Sequence, residues 1–395
     1  MREVAIIGVG MTPVTEHWSS GLRELAAESL HAALQDGAAG RPDALYVANA
    51  YGALSSSQAH LGALVADFSG LTGIEASTIE SGDASGGAAL RAGYLAVASG
   101  AADVVAVVGV EKSADAIGAA QTESRSVSLD ADYEAIHGLT LTAQAALLMR
   151  RYMYEHGVEI GAFEGFSINA HANGKRNPRA MYRNAMRAGA FAKAPMVADP
   201  VNLFDSAPDA DGAATVILAP LERALDMVAR PIVIAGSAAA TDTLALHDRP
   251  DPLFLSAVAR STQLALGQAQ ATPDDVRLFE LHDAFTILTA LSLEAAGFAE
   301  RGKGWQWASD DIALNGRLPI STFGGLKSRG NPAGATGVYQ AAEAVLQLRG
   351  EAGENQVSAA TQGSQTALIQ SVGGLGSSVF THVLRGFESY QSGRR

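Results

Sequence analysis

The stretch Ser81-Gly82-Asp83-Ala84-Ser85-Gly86-Gly87-Ala88-Ala89-Leu90 decides the fold. Small residues at 84–87 open a helix that runs to about Ser99. Leu90, Tyr94 and Val97 form its apolar face, and Gly100 ends it. Val104–Val110 follows as an unbroken apolar run, the pattern of a strand covered on both faces. Working outward, Val4–Val9 reads as a buried strand, Ser20–Gln35 as an amphipathic helix, Ala44–Ala48 as a short strand and His60–Ser69 as a helix. Strand, helix and strand with short joints make a layered α/β protein. Further on, the same reading predicts strands at Ala213–Leu218, Pro231–Ala235, Val276–Leu281, Gln356–Thr361 and Ser378–Val383. It predicts helices at Phe285–Ala296 and Val338–Leu348, and a polar, frayed tail from Glu388. Gly334-Ala335-Thr336-Gly337, then a helix, then Gly350 echoes the 84–100 segment, which suggests a duplicated half.

Composition bounds the chemistry. The chain has 395 residues, 48% hydrophobic and 17% charged, so it can bury a sizeable core. It contains no cysteine, which excludes disulfides, Cys-ligated metal and a thiol nucleophile. A net charge of −13 argues against nucleic acid as a partner. The N-terminus carries no secretory pattern and no apolar run reaches membrane-spanning length, so a cytoplasmic protein is expected. One stretch reverses the charge: between Gly165 and Ala198 there is no Asp or Glu, but Lys175, Arg176, Arg179, Arg183, Arg187 and Lys193 are present. Such a run is either a solvated helix face or a seat for a phosphorylated ligand, because Arg binds phosphate through paired hydrogen bonds.

The motifs resemble those of the thiolases, and among them the sterol-carrier-type thiolases, over about residues 3–386. Val4-Ala5-Ile6-Ile7-Gly8-Val9-Gly10 resembles the family's first strand, and Ala84–Leu90 its nucleophile helix. Val107–Lys112, Asp205-Ser206-Ala207-Pro208 and Asp211-Gly212-Ala213-Ala214 match further blocks. His282-Asp283-Ala284-Phe285 resembles the family's His-Asp-Cys-Phe. Gly330-Asn331-Pro332-Ala333-Gly334-Ala335-Thr336-Gly337 resembles its Gly-His-Pro-x-Gly-Ala-Thr-Gly loop. The resemblance implies two βαβαβαββ halves in a five-layer α-β-α-β-α body. The halves would span 1–118 with 200–228, and 229–390, with a CoA-binding loop domain at 119–199. It also implies at least a homodimer.

Against that resemblance the chain departs at the centre. The nucleophile position holds Asp83, the second cysteine is Ala284 and the loop histidine is Asn331. Transfer through an acyl-cysteine is therefore closed. The candidate catalytic set is His282, Asp83, Asn331 and Tyr339. His282 would move a proton near neutral pH. Asp83 would be either a helix N-cap or a base. Asn331 would be a turn residue or an NH2 donor to a thioester oxygen, and Tyr339 a packed aromatic or a proton donor. Asp283 is read as capping the next helix. His137 and His171 lie in the loop region without an assigned role. Lys175, Arg176, Arg179, Arg183, Gly325 and Gly334 are the candidate CoA contacts. Small residues such as Ala84, Gly86, Gly87 and Ala284 suggest room for a bulky acyl group.

Two functions stay open. One is an acyl-CoA enzyme without an acyl-enzyme, concretely a retro-aldolase on a β-hydroxyacyl-CoA, with a small zinc-ribbon/OB-fold partner implied by the resemblance. The other is a non-catalytic thiolase-fold subunit that supports a partner enzyme. An acetyl-CoA acyltransferase would be so by ancestry only. No metal and no covalent cofactor are expected; coenzyme A enters as part of the substrate.

Overall fold

The computed structural model describes residues 1–116, 118–363 and 365–392. Its strands are β1 (Val4–Met11), β2 (Ala44–Ala48), β3 (Glu75–Ile79), β4 (Val105–Glu111), β5 (Met196–Ala198), β6 (Val201–Asn202), β7 (Gly212–Pro220), β8 (Ile232–Thr241), β9 (Val276–Glu280), β10 (Thr366–Gly373) and β11 (Ser378–Gly386). Nine of them form one hydrogen-bonded sheet in the order β3-β2-β4-β7-β1-β8-β11-β10-β9, while β5 and β6 pair separately. Read outward from the middle, β1-β7-β4-β2-β3 and β8-β11-β10-β9 follow one plan, the second a strand shorter. The parallel bridge between Phe279 and Ile320 stands near where its outer strand would lie. Within the sheet, among the described residues, the halves join where Ala5 and Ile6 of β1 meet Val233 and Ile232 of β8.

Side-chain alternation sets the layers. In β1, Val4, Ile6 and Val9 face a central core, and Ala5 and Ile7 face an outer one. The central core also takes Leu90 and Val97 of the Ser85–Ser99 helix and Val338, Ala342 and Val345 of the Thr336–Arg349 helix. These two helices touch strands of both halves. The Leu22–Asp36 and Leu61–Phe68 helices cover the outer face of the first half. The Ser256–Gln268 and Thr286–Ala295 helices cover that of the second. The result is the expected α-β-α-β-α arrangement.

The echoed glycine turns are where the two central helices cross. A Cβ on Gly86 would lie 2.7 Å from the Gly337 nitrogen, so neither position has room for a side chain. These glycines are spent on helix packing, not on space for an acyl group.

Three local readings are corrected. Gln356–Thr361 is not a strand: Ser358–Thr361 is a 3-10 turn, and the strand is β10 a few residues later. Glu75–Ile79 forms an edge strand that the sequence did not announce, because it is half exposed and weakly apolar. From Phe387 the chain continues as a helix to Ser392 and is not frayed there; 393–395 lie outside the described residues.

Candidate active site

The turn 81–85 delivers Asp83 to a cavity of about 150 Å³. The Ser85 hydroxyl donates to the Gly82 carbonyl (2.6 Å) and accepts from the Ser81 N–H (2.8 Å). That closes the turn, and the helix N-cap is Ala84. Asp83 is therefore not the cap. Its Oδ1 accepts from the Tyr51 hydroxyl at 3.0 Å and from Arg125 Nη1 at 3.2 Å, while Oδ2 makes no hydrogen bond among the described residues. The other end of the guanidinium, Nη2, pairs with Asp209, and its face lies 4.8 Å from the Tyr51 ring centroid. Tyr51 sits just beyond β2, Arg125 on the Ala119–Ser126 helix and Asp209 in the loop before β7. Burial, then Asp83, push the Tyr51 phenol up. Burial opposes the charge on Arg125, but Asp209 and Asp83 outweigh it and raise its pKa.

Glu111, at the end of β4, secures this corner. It accepts from the Asn49 amide (3.0 Å) and from the N–H groups of Ala50 (2.9 Å), Tyr51 (3.1 Å) and Gly334 (3.1 Å). Burial pushes its pKa up to about 7. Gly334 thus ties the 331–336 loop to the Tyr51 turn and does not line the cavity.

Asn331 and Ala284 complete the wall. Asn331 Oδ1 accepts from the Ala333 N–H and the Thr336 hydroxyl, both at 3.1 Å. That orients the amide, and its NH2 makes no hydrogen bond among the described residues. The turn reading and the donor reading of Asn331 are thus compatible: one face of the amide builds the turn and the other is free.

The remaining candidates sit apart. His282 is buried and does not line the cavity, its Nδ1 has no partner among the described residues, and burial lowers its pKa to about 4. It stays neutral at neutral pH, which corrects the expectation of a group poised near 6.5. Tyr339 shares hydrogen bonds with the Thr12 hydroxyl and carbonyl at 3.1 Å and does not line the cavity. It is the packed aromatic. Asp283 does not cap the Thr286–Ala295 helix; its Oδ1 accepts the Leu326 N–H at 2.8 Å. Gly325, at φ +55°, lies against that carboxylate, so its role is conformational. His137 is exposed and does not line the cavity.

A second chamber of about 250 Å³ shares Ser206 and Ala207 with the first. His171, Tyr182, Phe204 and Lys327 line it. Lys327 Nζ donates to the carbonyls of Leu203 (3.0 Å) and Ser206 (2.7 Å), and burial lowers its pKa to about 8. Burial, then Lys327, lower that of His171. Tyr182 adjoins Arg183 of the basic stretch. Lys175, Arg176, Arg179 and Arg183 are all exposed and form no ion pair among the described residues. Lys175 and Arg176 also stand in the last turn of the Glu164–Arg176 helix, where cations answer the helix dipole.

Sequence reasoning brought Asp83, Ala284 and Asn331 to one cavity. It missed Tyr51, Arg125 and Asp209. Asp209 lies one residue past a recognised block, and nothing in the local pattern singles out Arg125. Arg125, its side chain only 11% exposed, lines the cavity beside Asp83.

Comparison with known proteins gives two family matches: a thiolase N-terminal domain over 4–195 and a thiolase C-terminal domain-like region over 238–386. An acetyl-CoA acetyltransferase of Methanothermobacter thermautotrophicus is 39% identical over 386 residues, covering 97% of this chain and 99% of that one. A 17-hydroxy-3-oxo-4-pregnene-20-carboxyl-CoA lyase of Mycobacterium tuberculosis is 30% identical over 361 residues, covering 88% and 92%. Among solved structures, an Ltp2-ChsH2(DUF35) aldolase superposes with a TM-score of 0.82 at 24% identity, covering 97% of both chains.

Proposed function

The chain belongs to the thiolase family, and from that premise we propose that it acts on a CoA thioester by acid–base carbon–carbon chemistry, without an acyl-enzyme. The observation that carries this reading is Asp83, a carboxylate at the head of the central helix, lining one cavity with the free amide NH2 of Asn331. With no cysteine in the chain, Asp83 and Ala284 stand at the two positions where the family's thiols act. The lyase and aldolase among the similar proteins support the same direction.

The reaction is retro-aldol cleavage of a β-hydroxyacyl-CoA. Asp83 Oδ2 takes the proton of the β-hydroxyl. The Cα–Cβ bond breaks, the oxygen's electrons form the new carbonyl, and the bond pair becomes a thioester enolate. Asn331 donates a hydrogen bond to the enolate oxygen. The proton held by Asp83 then passes to Cα, giving a shortened acyl-CoA and an aldehyde or ketone. Asp83 carries the hydroxyl's proton and is neutral when the enolate forms, which answers the objection that a carboxylate repels an enolate; Arg125 and Asp209 pair beside it. The basic stretch at 175–193, within a loop domain at 119–199, takes the CoA phosphates. The second chamber takes the pantetheine arm on its way to Asp83. A homodimer, with a small zinc-ribbon/OB-fold partner, is the assembly we propose.

One observation favours the alternative of a supporting subunit: Tyr51, Asp83, Arg125 and Asp209 form a chain of hydrogen bonds and ion pairs that contains no thiol or hydroxyl nucleophile of the acyl-transfer kind. The test is cleavage of 3-hydroxyacyl-CoAs by the chain alone and with its partner, following release of the carbonyl product. Cleavage that drops 10²–10⁴-fold in Asp83→Asn, with thioester binding kept, supports the enzyme. Binding without cleavage in either form supports the subunit.

A further inference from the structure

We infer that Arg125 is the residue that sets the acyl group: it admits a short, neutral β-hydroxyacyl chain and shuts out long or polycyclic ones. The inference rests on the reading of the Asp83 cavity as the acyl site and deepens it.

Three observations carry it. First, the guanidinium is held on three sides, by Asp83 at 3.2 Å, by Asp209 and by the Tyr51 ring at 4.8 Å. A side chain fixed this way is a wall and not a mobile gate. Second, the space it leaves is about 150 Å³. A cavity near 150 Å³ holds a benzene-sized molecule, about six heavy atoms. That is the acyl part of 3-hydroxybutyryl-CoA and far less than a steroid. Third, the lining includes Ser126 and Thr140, whose hydroxyls are engaged with the Thr122 carbonyl and the Ala143 N–H, and Thr122, Thr142 and Ser206, whose hydroxyls make no hydrogen bond among the described residues. These suit a hydroxyl or carbonyl on the acyl group better than bare hydrocarbon. A carboxylate there would be repelled, because Asp83 and Asp209 together outnumber the single guanidinium.

The substrate class therefore differs from the one named for the 30% identical lyase. The experiment is calorimetric titration of the full chain with CoA, 3-hydroxybutyryl-CoA, 3-hydroxydecanoyl-CoA and a steroid 20-carboxyl-CoA. Wild type, Arg125→Ala and Arg125→Lys are compared. We expect wild type to bind 3-hydroxybutyryl-CoA at least tenfold more tightly than the two large thioesters. Arg125→Ala opens the wall and gains affinity for 3-hydroxydecanoyl-CoA, and a gain of binding cannot come from misfolding. Should that variant not fold, Arg125→Lys, which keeps the charge between Asp83 and Asp209, shows the same shift in smaller measure. Wild-type affinities within twofold across the series, or an unchanged order in the folded variants, overturn the inference and leave the proposed chemistry standing. Failure of every thioester to bind removes both.

Discussion

Position 83 holds a carboxylate at the head of the central helix, and its partners decide what it can do. Tyr51 and Arg125 occupy Oδ1 and leave Oδ2 toward chemistry. Asn331→Ala removes the amide donor proposed for the enolate oxygen, and we expect kcat for C–C cleavage to fall 10²–10³-fold with little change in thioester binding, as for loss of an oxyanion-hole donor. His282 gives a pH test. Its pKa falls to about 4 in the folded chain from an ordinary 6.5. Between these values the unfolded chain binds the extra proton, so the His282 contribution to stability is whole above pH 6.5. It is lost as pH falls toward 4, on the order of 3 kcal/mol in all. The ring resonances of His282 followed by NMR should hold the neutral form down to about pH 4; a midpoint near 6.5 contradicts this. Asp83, Ala284 and Asn331 were legible because each stands in a recognisable block. Tyr51, Arg125 and Asp209 were not. They are 32 to 126 residues away from Asp83 along the chain, and only the fold brings them together. The neutral state of His282 was equally out of reach, because it depends on how much of the molecule surrounds the ring.

Among the elements, the crossing of the two central helices is a tight joint. Gly86 packs against Gly337 with no space for a Cβ. Gly86→Val forces these helices apart, and we expect a loss of at least 1–3 kcal/mol, the usual range for overpacking a core, read as a lowered denaturation midpoint. A change confined to exposed Leu95 on the same helix should cost under about 0.5 kcal/mol. The helix–strand rhythm was legible because its strands are unbroken apolar runs, as in β4, where all seven residues are buried. The duplicated glycine turns were legible as an echo; that they touch each other was not. β3 escaped notice because an edge strand with an exposed face need not alternate strongly. Gln356–Thr361 misled because β-favouring composition is a weak guide where the chain is making a 3-10 turn before β10.

At the scale of the molecule, charge is the feature the sequence carried most clearly. A chain of net −13 holds one exposed basic stretch, Lys175 to Lys193, beside the second chamber. CoA binding should weaken as salt rises through the range that screens exposed charges. Arg179→Glu with Arg183→Glu should raise the Kd for CoA at least tenfold at low salt while leaving the melting temperature of the free chain within a degree or two. A Kd unmoved by salt and by both substitutions contradicts phosphate binding there. The paired halves and the central helical layer were foreseen from the motifs, while the pairing of β1 with β8 that makes one sheet of the two halves emerges only in the structure. The central claim is acid–base chemistry on a thioester without a covalent intermediate. Its most direct test is to incubate the protein with a short acyl-CoA in D2O and record two masses. The account predicts deuterium at the α-carbon of the recovered thioester, lost in Asp83→Asn, and an unchanged mass for the protein. A protein carrying the acyl group, or an α-carbon that never exchanges in the presence of the partner, contradicts it.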